Sequence, residues 1–262
     1  MNRGKNINRN LLTDGTLGTP FAEAYRALRA NITFRRIDRF TIDRPARTIL
    51  VASAASGEGR TTTAINLGII MAQSSPSVLI VDTDFRKPSM HKHIRTRANG
   101  QGPGIGLSDV LVGAADVDQV VLDTPFPRLS LITAGAAPPN PSELLASERM
   151  HWILSKLQEH ADFVLLDSPP CLNYSDAFLL ARIADGVLYV VRAGHQEKSS
   201  QHRVQKQLQQ AKAWILGVVF NDVEVDDATR ADLSANGHVI GPQHRFAVET
   251  SSGAERETFA RS

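Results

Sequence analysis

Short apolar segments alternate along this chain with longer segments whose apolar residues recur every three or four positions. The short segments are apolar on both faces, as in strands buried inside a parallel sheet, and the longer ones have the spacing of helices. This alternation predicts an α/β fold: a doubly wound, mainly parallel sheet with helices on both faces, in a single domain. The predicted strands are 48–52, 78–81, 129–133, 163–166, 187–191 and 216–220, and the predicted helices are 20–39, 61–73, 107–111, 143–159, 175–183 and 197–212.

The same pattern divides the chain into three parts. Residues 1–45 contain a polar arm and the first predicted helix, and residues 46–223 contain every predicted strand. From residue 224 to residue 262 the apolar pattern gives way to Asp, Ser, Gly, Arg and Glu. We therefore expect a folded domain over 46–223 and a flexible polar tail over 224–262.

Composition narrows the classes of protein to which the chain can belong. Of its 262 residues 42% are hydrophobic, enough for one sizeable core, and its net charge of +2 makes a nucleic-acid-binding surface unexpected. The single cysteine cannot form an internal disulfide, no apolar run approaches about 18 residues, and the N-terminus lacks the apolar part of a signal peptide. We expect a cytoplasmic protein with no membrane span of its own.

The segment after the first predicted strand resembles a phosphate-binding loop. The pattern is Gly-x-x-x-x-Gly-Lys-Ser/Thr between a strand and a helix, and its four fixed positions are occupied here by Ala54, Gly59, Arg60 and Thr61. Small residues let successive backbone N–H groups point at a phosphate, and the following helix adds its positive N-terminus. The sequence thus predicts nucleotide binding, with an arginine where the pattern has lysine.

Carboxylates follow two further predicted strands. Asp82 and Asp84 come directly after one buried strand, and Asp167 comes directly after another. Ligands of such sheets lie beyond the carboxyl ends of the strands, and hard oxygen atoms are what Mg²⁺ prefers. We therefore expect Thr61, Asp82 and Asp167 to meet one metal ion, with Asp84 close by. Taken singly, each aspartate is as consistent with a helix cap or a turn.

Taken together, these motifs resemble the bacterial tyrosine kinases of capsular and exopolysaccharide synthesis. That family lies within the deviant P-loop ATPases, which also include MinD and ParA, and the resemblance covers about residues 23–221. The matching segments are Glu23-x-x-Arg26-x-x-Arg29, Ser56-Gly-Glu-Gly-Arg-Thr-Thr62, Val81-Asp-Thr-Asp-Phe-Arg-Lys-Pro88, Gly106-Leu-Ser-Asp-Val-Leu-Val-Gly113, 134–145 and Leu166-Asp-Ser-Pro-Pro170.

The resemblance implies ATP and Mg²⁺ as cofactors and a role for each matching residue. Contact with the nucleotide is implied for Ser56, Gly57, Glu58, Gly59, Arg60, Thr61, Thr62 and Asn221. Catalytic roles are implied for Asp82, Asp84 and Arg60, metal contacts for Thr61, Asp82 and Asp167, and contacts between subunits for Glu23, Arg26 and Arg29. On residue chemistry alone, the last three also fit an ion pair within one helix, and Asn221 fits a turn.

The resemblance also implies partners. It implies a homo-oligomer that a membrane protein of polysaccharide chain-length control or export recruits to the inner face of the cell membrane. A basic stretch of Arg86, Lys87 and Arg95 is consistent with contact to a phosphate, to an acidic segment of a partner, or to water.

The sequence departs from the family pattern at two points. Arg60 replaces a lysine, and a planar guanidinium does not substitute for a compact ammonium. The family's C-terminal tyrosine cluster is also missing, because none of the three tyrosines lies beyond Asn221. Three functions therefore stay open: an ATP-dependent kinase that regulates polysaccharide export, a catalytically impaired scaffold of the same assembly, and, least favoured, a MinD- or ParA-like positioning ATPase.

Overall fold

All six strands expected from the apolar segments are present, and they belong to one sheet. The computed structural model describes residues 11–34, 47–75, 77–94, 96, 104–195, 197–222, 239–240 and 246–249. The strands in these residues are β1 (Thr48–Ser53), β2 (Val78–Asp82), β3 (Leu122–Asp123), β4 (Leu129–Ile132), β5 (Phe163–Asp167), β6 (Gly186–Arg192), β7 (Ile215–Asn221), β8 (Val239–Ile240) and β9 (Phe246–Glu249).

The centre of the sheet is parallel, which confirms the predicted doubly wound α/β fold. The strand order is β3-β4-β2-β5-β1-β6-β7-β9-β8, and the six strands from β4 to β7 pair in parallel. The strands β3, β9 and β8 pair antiparallel with their neighbours at the two edges. Because β5 lies between β1 and β2, the carboxyl ends of these three strands open side by side at the edge where such folds bind ligands.

Helices cover both faces of the sheet. They are α1 (Pro20–Phe34), α2 (Arg60–Ala72), α3 (Met90–His93), α4 (Leu107–Val112), α5 (Val117–Val120), α6 (Pro141–Leu145), α7 (Glu148–His160), α8 (Asp176–Ile183) and α9 (Lys198–Gln210). Side chains alternate along β1: Ile49 and Val51 join the core that contains α1 and α2, whereas Leu50 and Ala52 join the core beneath α4, α7, α8 and α9. β1 and β2 are buried along their whole length, as their continuous apolar sequences predict, whereas β7 is only partly buried.

Several elements differ from the sequence-based expectation. The single helix predicted over 143–159 is two helices, because the Ser147 hydroxyl accepts the Met150 N–H and begins α7 as an N-cap. The helix predicted over 20–39 is α1 as far as Phe34, and residues 35–39 lie outside the described residues. The elements α3, α5 and β3 are too short for periodicity to reveal.

Two strands lie within the segment 224–262, which we predicted to be a flexible polar tail. β9 pairs antiparallel with β7, with Val219 opposite Val248, and β8 pairs with β9. These six residues are therefore part of the sheet, which extends past the expected domain boundary at residue 223.

Gly106 provides a test of how tightly α4 is packed against the end of β4. An added Cβ there would lie 2.3 Å from the Gly135 backbone nitrogen and 2.4 Å from the Thr133 carbonyl oxygen. Since neither backbone atom can rotate away, Gly106→Ala should lower the free energy of unfolding by about 1–3 kcal/mol in chemical denaturation. Gly104→Ala is the matched control, because its Cβ meets nothing within 4 Å. Equal denaturation midpoints for the two variants would contradict this packing.

Candidate functional site

The loop between β1 and α2 turns through two glycines with positive φ. Gly57 has φ 84° and Gly59 has φ 97°, a region that side-chain-bearing residues rarely adopt. A Cβ on Gly59 would also lie 2.1 Å from the Asn221 amide nitrogen. Gly59 is the N-cap of α2, so the first N–H groups of that helix open onto the loop. The predicted strand, loop and helix therefore form a cradle suited to an anion.

The side chain of Glu58 is fully buried, and its hydrogen bonds fix the shape of this loop. Its carboxylate accepts the Ala55 N–H at 2.7 Å and the Gln201 side-chain amide at 3.1 Å. Gln201 in turn accepts the Tyr189 hydroxyl, and the Asn221 amide donates to the Glu58 carbonyl at 3.1 Å. The side chains of Glu58 and Asn221, which the resemblance assigned to the nucleotide, thus hold the shape of the loop.

Gln201 is a residue that sequence reasoning missed. It lies on α9, in a stretch of polar residues with no motif, and it is 143 positions from Glu58. No signal in the sequence connects the two residues.

The Arg60 side chain turns back beneath the loop. One of its terminal nitrogens donates to Ser53 Oγ at 2.7 Å and to the Ala55 carbonyl at 3.0 Å, and the other lies 4.0 Å from an Asp84 carboxylate oxygen. The side chain is 9% exposed, and its Nε has no hydrogen-bond partner among the described residues. Much of the donor capacity of this guanidinium is therefore used inside the protein.

Strand register places Asp82 directly beside Asp167, and Thr61 reaches this pair from α2. The Thr61 hydroxyl donates to Asp167 Oδ2 at 2.6 Å, and both carboxylates are buried. Burial and the neighbouring Asp167 charge raise the pKa of Asp82. Burial also raises the pKa of Asp167, against the opposing effects of the Arg60 charge and the Thr61 hydrogen bond. A cation at this pair would favour the ionised forms.

Asp167 keeps one oxygen for a further ligand. Its Oδ1 is buried and has no hydrogen-bond partner among the described residues. Within that part of the chain, no group of three or more His, Cys, Asp or Glu side chains could hold a metal by itself. Thr61 and Asp167 nevertheless fit Mg²⁺, which keeps several waters and takes phosphate oxygens among its ligands.

Asp82 and Asp84 also shape the backbone after β2, as the alternative interpretation predicted. Asp82 accepts N–H groups from Asp84, Ser89 and Met90 at 3.1–3.2 Å, which ties it to the start of α3. Asp84 Oδ1 accepts the N–H groups of the next turn, from Arg86 at 3.1 Å and Lys87 at 2.9 Å. The structural interpretation of these aspartates is thus confirmed, and their catalytic and metal roles stay predictions.

The two described residues of the basic stretch after Asp84, Arg86 and Lys87, have different surroundings. Arg86 binds the buried carboxylate of Asp176 at 2.9 Å and lies over the Tyr174 ring, so its main partners belong to this chain. Lys87 is exposed and lines the cavity described next, and Arg95 lies outside the described residues.

A cavity of about 960 Å³ lies in front of the loop. Its volume is at the upper end of the range of small-molecule sites and is sufficient for a nucleotide. Among the residues that line it are Ser56, Gly57, Gly59, Arg60, Thr61, Thr62, Asp84, Lys87, Tyr174, Arg192 and Asn221. Asp82, Asp167 and Glu58 are buried and do not line the cavity.

The predicted oligomer-contact residues make contacts within this chain. Arg26 pairs with Glu23 at 2.8 Å on the same helix, as the alternative interpretation expected. Arg29 donates to the Ile70 carbonyl at 3.0 Å and to Ser74 Oγ, at the C-terminal end of α2. Their role between subunits stays a prediction. In the part of the chain that the structure describes, no helix is long and apolar enough to cross a membrane.

Comparisons with known proteins agree with this geometry. Residues 46–213 match an AAA domain family. The chain is 33% identical to the tyrosine-protein kinase YwqD of Bacillus subtilis over 220 residues, covering 84% of this chain and 89% of that protein. The chimerical protein CapA2B2 superimposes with a TM-score of 0.72 at 31% identity, covering 80% of this chain and 88% of that one. The kinase domain of the Escherichia coli tyrosine kinase ETK gives 0.70 at 28% identity, covering 84% of each chain. The chain therefore belongs to the bacterial tyrosine kinase family.

Proposed function

We propose that this chain binds ATP with Mg²⁺ and transfers the γ-phosphoryl group to a tyrosine hydroxyl. The observation that carries the proposal is the Thr61–Asp167 pair beneath a glycine loop of positive φ, with one Asp167 oxygen lacking a partner among the described residues. Phosphoryl transfer depends mainly on positioning and on charge stabilisation, and these groups are suited to both.

Each residue then has a defined task. The backbone N–H groups of residues 57–62 bind the phosphates, and Ser56 lines their approach. Thr61 and Asp167 hold Mg²⁺ directly or through water, with Asp82 next to them; when bound, the ion neutralises charge on the phosphoryl oxygens. Asp84, at the cavity wall, orients the attacking hydroxyl together with Asp82.

A second candidate function follows from the position of Arg60. Its guanidinium is bound to Ser53 and Ala55, so it supplies less charge to the phosphates than a lysine would. Losing one stabilising donor in a transition state costs about 2.7–4 kcal/mol. This contact pattern favours slow or partner-dependent turnover, and in the limit a scaffold that binds ATP without turning it over.

For the biological setting, we propose the control of capsule or exopolysaccharide polymerisation and export. In this proposal the chain assembles with copies of itself and with a membrane protein of chain-length control or export, at the inner face of the cell membrane. The support is membership of the bacterial tyrosine kinase family, together with the Glu23, Arg26 and Arg29 motif on α1.

Thr61 is the variant that tests the nucleotide and metal site. Thr61→Ala removes a hard oxygen ligand, so calorimetry should show about tenfold weaker binding of ADP in the presence of Mg²⁺. Binding in EDTA should change less, because the backbone cradle is retained. Thr61→Ser keeps the hydroxyl and serves as the matched control. Absence of nucleotide binding to the unaltered protein at millimolar ADP with Mg²⁺ would refute the proposal itself.

Arg60→Lys tests whether the arginine limits turnover. A single ammonium cannot bind Ser53 and Ala55 and also direct a second nitrogen toward Asp84, as the guanidinium does. It is therefore freer to reach the phosphates, and ATP hydrolysis should rise by about tenfold or more. Arg60→Met, which removes the charge at similar length, should give no rise. If Arg60→Lys is no faster than the unaltered chain, then the loop is built around arginine and this explanation is wrong.

Arg26 is the position at which we test self-assembly, because its contacts in its own chain are local, to Glu23 and to the Leu17 carbonyl, whereas Arg29 packs against α2. Arg26→Glu should lower the mass of the particle seen by light scattering, since it reverses a charge in the predicted contact motif. Arg203→Glu, an exposed change on α9, should leave the mass unaltered. An unchanged mass for Arg26→Glu would assign the motif to contacts within one chain, such as those of Arg26 with Glu23 and with the Leu17 carbonyl.

A further inference from the structure

The environments of the three tyrosines of this chain differ sharply. Tyr25 is 2% exposed and its hydroxyl accepts the Asn66 amide, and burial raises its pKa to about 12. Tyr189 is 6% exposed and its hydroxyl donates to Gln201 at 2.5 Å. Neither ring is free to leave its position without unpacking a core. Both are therefore unsuited to accept a phosphoryl group.

Tyr174 is placed differently. It lies between β5 and α8, only partly buried, and lines the same cavity as the phosphate loop and Asp84. Tyr25 also lines this cavity, but it is buried. All three tyrosines are described, and Tyr174 is the one that combines partial exposure with a place in the cavity.

A fixed cation holds the Tyr174 ring. The guanidinium carbon of Arg86 lies 4.2 Å from the ring centroid, within the range of a cation–π contact. Arg86 is anchored by two bonds to Asp176, at 2.9 and 3.2 Å, and by one to Ser142 Oγ at 3.0 Å. Asp176 is fully buried, so this anchor is rigid.

The same arginine connects the ring to the reaction site. Its backbone N–H donates to Asp84 Oδ1 at 3.1 Å, so the turn that carries Asp84 also carries the arginine that contacts the ring. Lys87, the next residue, is exposed and lines the cavity, where it would neutralise a phosphate group on the ring.

We propose that Tyr174 is a phosphoryl acceptor of its own active site, an inference that rests on the proposed tyrosine kinase function. The phenolic oxygen forms a bond to the γ-phosphorus of ATP while the bond from that phosphorus to the β-phosphate oxygen breaks. ADP leaves with the bonding electron pair, and the phenolic proton passes to water. The transfer is intramolecular, because ring and phosphate loop share one cavity.

Phosphopeptide mapping tests the proposal on the full chain. After incubation with Mg²⁺ and ATP, mass spectrometry should find phosphotyrosine at residue 174. The Tyr174→Phe variant should contain no phosphotyrosine anywhere in the chain. In Tyr189→Phe, which removes a buried hydroxyl, the phosphate should remain on Tyr174 at whatever rate that variant turns over. In the unaltered chain, the rate constant for phosphorylation of Tyr174 should not depend on protein concentration. A rate constant that rises in proportion to concentration would overturn the intramolecular step.

An external acceptor separates this inference from the proposed function. A synthetic Glu/Tyr copolymer is supplied in parallel: a phosphorylated copolymer with an unmodified Tyr174 refutes the inference and leaves the kinase function standing. If neither acceptor is labelled although ATP binds, the kinase function fails, and the inference fails with it.

A second measurement needs no turnover. Tetranitromethane nitrates accessible tyrosines, so Tyr174 should be nitrated before Tyr25 and Tyr189, and Mg²⁺ with ADP should slow the reaction at Tyr174. Faster nitration of either buried tyrosine, or no protection by the nucleotide, would show that Tyr174 is not placed in the nucleotide cavity.

Discussion

The parallel register of β2 and β5 sets Asp82 directly beside Asp167, and much of the site is arranged around these two carboxylates. They are 1% and 2% exposed, and like charges in such surroundings repel strongly unless donors or a cation compensate them. Backbone N–H groups at the start of α3 compensate Asp82, and the Thr61 hydroxyl at the start of α2 compensates Asp167. The first turns of two helices are thus oriented by one pair of acids.

The pair of buried carboxylates also explains why an arginine fits at position 60. Its charge opposes the rise in the pKa of Asp167, and its second terminal nitrogen faces Asp84. Arginine can do this while also binding Ser53 and a loop carbonyl, because its five donors form a rigid fork. A lysine at the same position would have a single point charge to direct either at the acids or at a phosphate. With arginine in place of the lysine of the loop pattern, the positive charge at position 60 is therefore directed toward Asp84 and Asp167 rather than toward a phosphate in the cavity.

The walls of the cavity are fixed from several distant elements. Gln201 on α9 holds Glu58 inside the loop, and the Asn221 side chain at the end of β7 holds the Glu58 carbonyl. On the opposite side, Arg86 ties the turn after β2 to Asp176 at the start of α8 and to Ser142 on α6. Both ties use partly or fully buried polar groups, which rigidify a site when all their hydrogen bonds are made. Such rigidity suits a reaction that depends on the positioning of phosphate oxygens.

The sequence alone determined the parts of this protein that depend on local pattern. Continuous apolar runs predicted the six central strands, because a strand buried on both faces tolerates few polar residues. Glycines and hydroxyl residues after β1, and aspartates after β2 and β5, predicted which strand ends would carry the site, because parallel strands bring those ends to one edge.

Only the tertiary structure decided which groups those residues contact. The fold brings Gln201 to Glu58 and Asp176 to Arg86, across 143 and 90 positions of the chain, and no local pattern reports either contact. It also decided that Arg60 turns toward the acids, and that Tyr174 lines the cavity partly exposed whereas Tyr25 lines it while buried. The direction of a long side chain follows from the charges and packing around it, and those are set by residues distant in sequence.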